Sequence, residues 1–278
     1  MTPEPSWTRP ADWLPLPAAD NSFVGLVAVW ENGFNSVALQ CAGNYTVDWG
    51  DGTSDLIQSN TTAQHEYTYS GLTGTDCTRG YRQAVVVVTP QSGQVLSKVD
   101  LDQRHTSATT AVGASPWLDV AVSSASLTSL IFGSAVRFAR NLEQATIGLH
   151  AVTDMSELFA GCYALQSVPL FDTSSVTTMQ HMFDVCEALQ SIPLFDTSSV
   201  TEMSSMFSGC DSLASGAMSG TKVDVSYESC NLSATELDRI YTNLGTVTGK
   251  TITVSGNPGT TGDTPSIAST KGWTVTGS

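Results

Sequence analysis

The sequence predicts a mainly-β chain: an antiparallel β-sandwich, then a short solenoid of 24-residue rungs, then a helix-plus-hairpin C-terminal cap. Three observations carry this. A 24-residue unit recurs: Val152–Ser175 (VTDMSELFAGCYALQSVPLFDTSS) and Val176–Ser199 (VTTMQHMFDVCEALQSIPLFDTSS) agree at 16 of 24 positions, and a third copy starts at Val200 (VTEMSSMFSGCDSL) and then decays. A fixed period of this length marks stacked units, each burying its apolar face on the next. Only 13% of residues are charged, well below the usual quarter, and Ser, Thr, Gly and Asn fill the gap. Residues 21–100 break into short β-prone runs separated by turn signals.

These signals divide the chain into a Pro/Trp-rich arm (1–20), a sandwich (21–100), degenerate strands that cap the solenoid N-terminally (101–151), the repeats (152–229) and a C-terminal cap (230–278). The arm holds five prolines and the tryptophans Trp7 and Trp13. Proline fixes φ and removes an amide donor, so the arm reads as extended. Isolated exposed tryptophan is costly. Trp7, Trp13, Leu14 and Leu16 are therefore expected to dock, either on this chain or on a partner.

In the second module, Phe23–Trp30 is apolar, Ser36–Cys41 alternates, and Tyr45–Trp49 runs into Gly50-Asp51-Gly52, a tight-turn signature. Tyr81–Thr89 (YRQAVVVVT) is rich in β-branched residues. The run Val47-Asp48-Trp49-Gly50-Asp51-Gly52, followed by His65-Glu66-Tyr67 and the Val-rich strand, resembles the PKD-type immunoglobulin-like fold over about 80 residues. The resemblance implies a structural role for Asp48, Trp49, Gly50, Asp51, Gly52, His65 and Tyr67. The carboxylates of Asp48 and Asp51 are read as bonding to the turn's own backbone, with a bound cation as the other reading.

Beyond residue 100, Leu118–Val122, Leu127–Phe132 and Ala145–Leu149 are each expected to be strands, as atypical first rungs. Within the clear rungs, Val176, Met179 and Phe183 fall at i, i+3 and i+7, which predicts a short helical turn facing the core. Leu189–Phe195 predicts a strand, with Pro169 and Pro193 at strand edges. Cys162, Cys186 and Cys210 occupy one repeat position. Stacking places them about 4.8 Å apart in a column, read as a buried ladder of small apolar thiols. Neighbouring rungs bring them within disulfide reach, but three equivalent thiols cannot all pair. Cys230 extends the column after a 20-residue step. In the tail, Ser233-Ala234-Thr235-Glu236 reads as a capping box, Leu237, Ile240, Tyr241 and Leu244 follow at helical spacing, and Gly245 suits a C-terminal stop. Lys250–Val254 and Trp273–Thr276 read as strands that close the open end of the stack.

The repeat V-T-x-M-x3-F-x2-C-x2-L-x-S with its F-D-T-S-S link resembles BspA-type leucine-rich repeats, which occur in bacterial surface proteins and in proteins of bacteriophage particles. The ending CNLSATELDRIYTNL…GKTITVSGNPGT…KGW is similar to the C-terminal cap of the phage versions. Together the resemblance covers about half the chain. It implies adhesion or particle architecture and not catalysis. Few rungs and an N-terminus without a secretory signal favour a virion protein made in the host cytoplasm and displayed on the particle surface, as a capsid decoration or a tail-fibre-type appendage. The expected partners are other virion proteins, capsid or tail. The alternative is a host-surface adhesin, viral or bacterial, that reads a glycan or protein.

Charge narrows the classes further. The net charge is −15, and no Lys or Arg occurs between Arg140 and Lys222, a stretch with nine carboxylates. Such a surface repels phosphate backbones, so no nucleic-acid partner is expected. No apolar run approaches the ~18 residues of a membrane span. The histidines His65, His105, His150 and His181 fall in no metal-binding spacing, and nucleophile-elbow, phosphate-loop and dinucleotide signatures are missing from the sequence. The expectation is a non-enzyme without cofactor or metal. If the repeats recognise a partner, the candidate positions are those where the two copies differ most beside the cysteine ladder: Tyr163, His181, Glu187 and Asp211.

Overall fold

A computed structural model of the chain describes residues 8–33, 35–106, 116–133, 141–149 and 152–278; Trp7 and His150 lie outside the described residues. Its strands are β1 (Ser22–Val29), β2 (Ser36–Ala42), β3 (Tyr45–Asp48), β4 (Ser54–Ile57), β5 (Thr62–Glu66), β6 (Arg82–Pro90), β7 (Lys98–Asp100), β8 (Trp117–Ser124), β9 (Ser129–Ile131), β10 (Gln144–Leu149), β11 (Val225–Ser226), β12 (Lys250–Thr253) and β13 (Trp273–Thr276). Two helices, α1 (Ala234–Asn243) and α2 (Ser266–Ser269), lie near the C-terminus. The molecule is mainly β.

The first sheet has the order β10-β8-β1-β6-β3-β4 and the second β5-β2-β7-β9. Both sheets contribute to one buried cluster that continues through the repeats to Trp273. The central strand β1 is buried at every residue. Its alternation explains why: Phe23, Val27 and Val29 enter the shared core, while Leu26 and Ala28 face a second cluster beneath the arm. Gly25 is required where β8 crosses, because a Cβ there would lie 2.3 Å from the Trp117 ring.

The strands expected in 101–151 form as β8, β9 and β10, but they do not stand apart from the preceding module. β8 pairs antiparallel with β1, and β7 pairs antiparallel with β2. From there both sheets turn parallel: β10 on β8, and β9 on β7. Antiparallel pairing joins strands through tight turns, whereas parallel pairing needs a long return path, here one rung. The Phe132 amide, just past β9, then donates to the Leu158 carbonyl at 3.0 Å. Among the described residues, the second sheet therefore passes directly into the repeats, and the two modules share paired strands instead of standing apart.

In the repeats each rung donates to the next. The amides of Met155, Glu157, Phe159 and Gly161 bond to the carbonyls of Thr178, Gln180, Met182 and Asp184, and those of Met179, His181, Phe183 and Val185 to Glu202, Ser204, Met206 and Ser208, all at 2.7–3.0 Å. Identical side chains then stack. Phe132, Phe159, Phe183, Phe207 and Tyr227 form a column with successive ring separations of 5.5, 5.4, 6.0 and 4.9 Å.

Three expectations are corrected. The expected helical turn of the rung is a series of i→i+3 turns, such as Met182 N to Met179 O and Cys186 N to Phe183 O. Left-handed residues at Glu157, His181 and Ser205, and at Gly161, Val185 and Gly209, interrupt any helix twice per rung. Leu189–Phe195 is not a continuous strand either; single bridges join Ser167, Ser191 and Ser215, and Pro193 withholds a donor from the ladder. In the cap, β12 and β13 pair parallel, so the expected hairpin is a crossover through α2. The cap strands continue the direction of the rungs.

Helix α1 starts where the sequence predicts. Ser233 Oγ accepts from the Glu236 amide, but the reciprocal half of the box does not form. The Glu236 carboxylate reaches instead to the amides of Gly216 (2.8 Å) and Ala217 (3.2 Å), tying the cap to the third rung. Gly245 serves close approach and not a left-handed stop: a Cβ would lie 3.0 Å from the carbonyl oxygens of Gly220 and Thr221.

Candidate functional site

The turn after β3 is built by its own side chains. Asp48 Oδ1 accepts from the Gly50 amide at 2.9 Å, and Asp51 Oδ1 accepts from the amide (3.0 Å) and hydroxyl (2.6 Å) of Thr53. Asp51 Oδ2 pairs with His65 Nε2 at 2.7 Å. Burial opposes the Asp51 charge, but the bonds from Thr53 and His65 outweigh it and hold the carboxyl below its ordinary range. His65 stacks on Trp49 with 5.0 Å between ring centroids, and the Tyr67 hydroxyl donates to the Trp49 carbonyl at 2.8 Å. Gly50, at φ 77°, would place a Cβ 2.4 Å from the Val85 carbonyl, and Gly52, at φ 91°, takes the other left-handed position. Asp48, Trp49, Gly50, Asp51, Gly52, His65 and Tyr67 thus form one cluster in which both carboxylates bond within the chain. Among the described residues, no group of three or more His, Cys, Asp or Glu is placed to hold a metal ion.

The described part of the arm, residues 8–20, docks on this chain. Trp13 is buried over the outer face of the first sheet, beside Leu26, Tyr81 and Leu118, and its indole donates to the Tyr81 hydroxyl at 2.7 Å. Leu14 and Leu16 are half-buried against the same cluster. Arg9 pairs with the buried Asp119 at 2.7 Å and donates to the carbonyls of Trp13 and Leu14. Asp12 accepts from the Thr78 hydroxyl (2.6 Å) and amide (2.7 Å) and from Cys77 Sγ. Those bonds hold its carboxyl at about 2. Trp13 is therefore not a free anchor for a partner: its apolar area and its donor are both satisfied in cis. Sequence reasoning missed Arg9, Asp12 and Asp119, because an ion pair across 110 residues and bonds from Thr78 across 66 leave no local signal.

Cys162, Cys186, Cys210 and Cys230 are buried and reduced. Cys186 Sγ donates to the Phe159 carbonyl and Cys210 Sγ to the Phe183 carbonyl, both at 3.1 Å. Burial pushes all four thiols up, Cys230 to about 12, which keeps them unreactive. Cys41 and Cys77 are also free and do not pair with each other.

The outward face is where a partner can reach the rungs. Tyr163, Glu187 and Asp211 share the repeat position after each ladder cysteine, so stacking brings them into one column; Glu187 and Asp211 are exposed and Tyr163 is half-buried. His181 belongs to a different position, two residues before Phe183, where its backbone is left-handed (φ 54°) and Nδ1 lies 3.3 Å from Asp184 Oδ2. On the opposite part of the rung, Leu170 and Leu194 are 70% and 48% exposed at one repeat position, each two residues before an exposed aspartate, Asp172 and Asp196. Aligning the repeats places these leucines together, but only the structure shows that both face solvent.

The family described as "Mycoplasma protein of unknown function, DUF285" matches residues 122–230, from within β8 to the last cysteine of the ladder. No curated protein and no solved structure matches the chain.

Proposed function

We propose that this protein is a non-enzymatic structural protein of a bacteriophage particle, in which a PKD-type immunoglobulin-like sandwich carries a BspA-type leucine-rich-repeat solenoid. In this reading the sandwich end faces the particle and the acidic rungs face outward, as a capsid decoration or a tail-fibre-type appendage. One observation carries it: a single core runs from the sandwich to the cap. The amide ladder joins Phe132 to the first rung, so the rungs are held out as one stiff body. Stiff display with unreactive thiols and internally bonded carboxylates suits architecture or recognition more than turnover. The anchoring role expected of Trp13 passes to other sandwich surfaces, because that side chain docks in cis.

Immunogold electron microscopy of purified particles, with an antibody raised against residues 152–213, tests the reading. Label on the head supports decoration, and label on the tail supports an appendage. Label confined to bacterial surfaces would overturn the virion assignment.

The second reading is a host-surface adhesin that binds a glycan or protein. It is favoured by the exposed column at Glu187 and Asp211 and by the exposed pair Leu170 and Leu194. Unchanged cell adsorption after reversing both charges and replacing both leucines with serine would count against it.

A further inference from the structure

The chain contains one Asn-Gly step, Asn32-Gly33, and one Asp-Gly step, Asp51-Gly52. Both are open to the same intramolecular chemistry. Glycine has no Cβ to shield its amide, and its backbone turns freely. Its amide nitrogen can therefore reach the side-chain carbonyl carbon of the residue before it. The rate of such a reaction depends on whether the fold permits that approach. The structure treats the two steps in opposite ways.

Asp51 is locked. Its Oδ1 accepts from the Thr53 amide (3.0 Å) and hydroxyl (2.6 Å), and its Oδ2 pairs with His65 at 2.7 Å. These bonds fix the side chain and keep it ionised, and a carboxylate is a poor target for a nucleophile. Asn32 has no such restraint. Its loop joins β1 to β2, which lie in different sheets, so no ladder pins the two sides of the loop together. Residues 31–33 are exposed. Neither Asn32 nor Gly33 has a positive φ, so the step is not the left-handed hairpin turn that Asn-Gly favours. Among the described residues, the Asn32 side chain and the Gly33 amide form no hydrogen bond. The loop is closed instead by Asn35, which accepts from the Trp30 amide at 2.8 Å and donates to the Trp30 carbonyl at 2.7 Å. Both ends of the Asn35 side chain are thereby held, while that of Asn32 turns freely.

We propose that Asn32 is a site of self-modification, at which the Gly33 amide nitrogen attacks the Asn32 side-chain carbonyl carbon. A C–N bond forms, the proton of the attacking nitrogen passes through water to the side-chain nitrogen, and ammonia leaves. One water then opens the resulting cyclic imide at either carbonyl, giving aspartate or isoaspartate at 32. Water is the single co-reactant. Each conversion adds one negative charge beside Glu31, and the isoaspartate form also lengthens the backbone inside the loop that Asn35 closes. This chemistry holds whether or not the protein belongs to a virion.

The test incubates the full-length protein at mildly alkaline pH, folded in buffer and unfolded in urea, and follows both by peptide mapping with mass spectrometry. Asn32 should convert in the folded chain within about threefold of its unfolded rate, whereas folding should slow isoaspartate formation at Asp51 at least about tenfold. Asn32→Gln would need a larger ring, so the acidic variant that ion exchange separates from the folded protein should disappear. Stronger protection of Asn32 by folding would overturn the proposal. So would equal conversion of Asp51 in the two states, or an acidic variant that accumulates unchanged in Asn32→Gln.

Discussion

The sandwich and the rung stack solve the same problem in opposite ways. Each must pair its backbone and bury an apolar face. The sandwich does so with long strands of unlike residues: Val85–Val88 of β6 meet Phe23–Leu26 of β1 on one side, and Val87 and Val88 meet Asp48 and Val47 of β3 on the other. The rungs use almost no regular strand. Each repeat position meets its counterpart one period later, phenylalanine on phenylalanine, with the thiol of one rung bonded to a carbonyl of the rung before. A sheet of unlike neighbours tolerates any sequence that alternates correctly, whereas a stack demands that the sequence repeat. The aromatic column from Phe132 to Tyr227 then makes the two solutions one body.

The largest test of that unity is Phe183→Ala. Phe183 is fully buried in the middle of the column, so its loss should destabilise the chain by about 3–5 kcal/mol. If the core is continuous, buried Trp49 in the sandwich should report the same lowered denaturation midpoint as far-UV circular dichroism. Separate transitions would show that the modules melt independently.

Next, Trp13→Ala should cost about 3 kcal/mol, because it removes a buried indole together with its bond to Tyr81. The effect sharpens the comparison, since the rungs need no strap while the sandwich face does. The same strap responds to pH. The Asp12 carboxyl is depressed to about 2, so its contribution is present above the ordinary carboxylate value near 4 and is lost as pH falls toward 2. Tryptophan fluorescence should therefore report release of the arm between those values, and Asp12→Asn should abolish that acid limb.

A smaller gain is expected from Val185→Gly. Val185 holds φ 59°, a left-handed conformation hostile to β-branched residues, at the repeat position where the neighbouring rungs have Gly161 and Gly209. Relief of strain, less the extra chain entropy of glycine, should raise stability by about 1 kcal/mol in urea unfolding. No gain would mean that side-chain packing at 185 offsets the strain. The smallest effect belongs to the outward column: Glu187→Lys with Asp211→Lys should change stability by less than about 0.5 kcal/mol, measured the same way.

Whatever is local or repeated was legible in one dimension. The 24-residue period announced the stack, because identical side chains must meet there. The thiol ladder followed from Cys162, Cys186 and Cys210. The Trp-Gly-Asp-Gly turn was legible because Asp48 and Asp51 bond within a few residues, and Ser233 with Glu236 marked the start of α1. The rest came from contacts between distant segments. Whether Trp13 served this chain or a partner depended on Tyr81, 68 residues away. The fusion of the two modules depended on β8 choosing β1, a pairing of unlike strands that no period records. Parallel pairing of β12 with β13 depended on the crossover through α2, and the cleft beside β11 lies where the step between stacked rings shortens from 24 residues to 20, a consequence that appears only when that turn is stacked on its neighbour. Local chemistry and self-pairing are written in one dimension; which unlike surfaces meet is settled only by the competition to bury them.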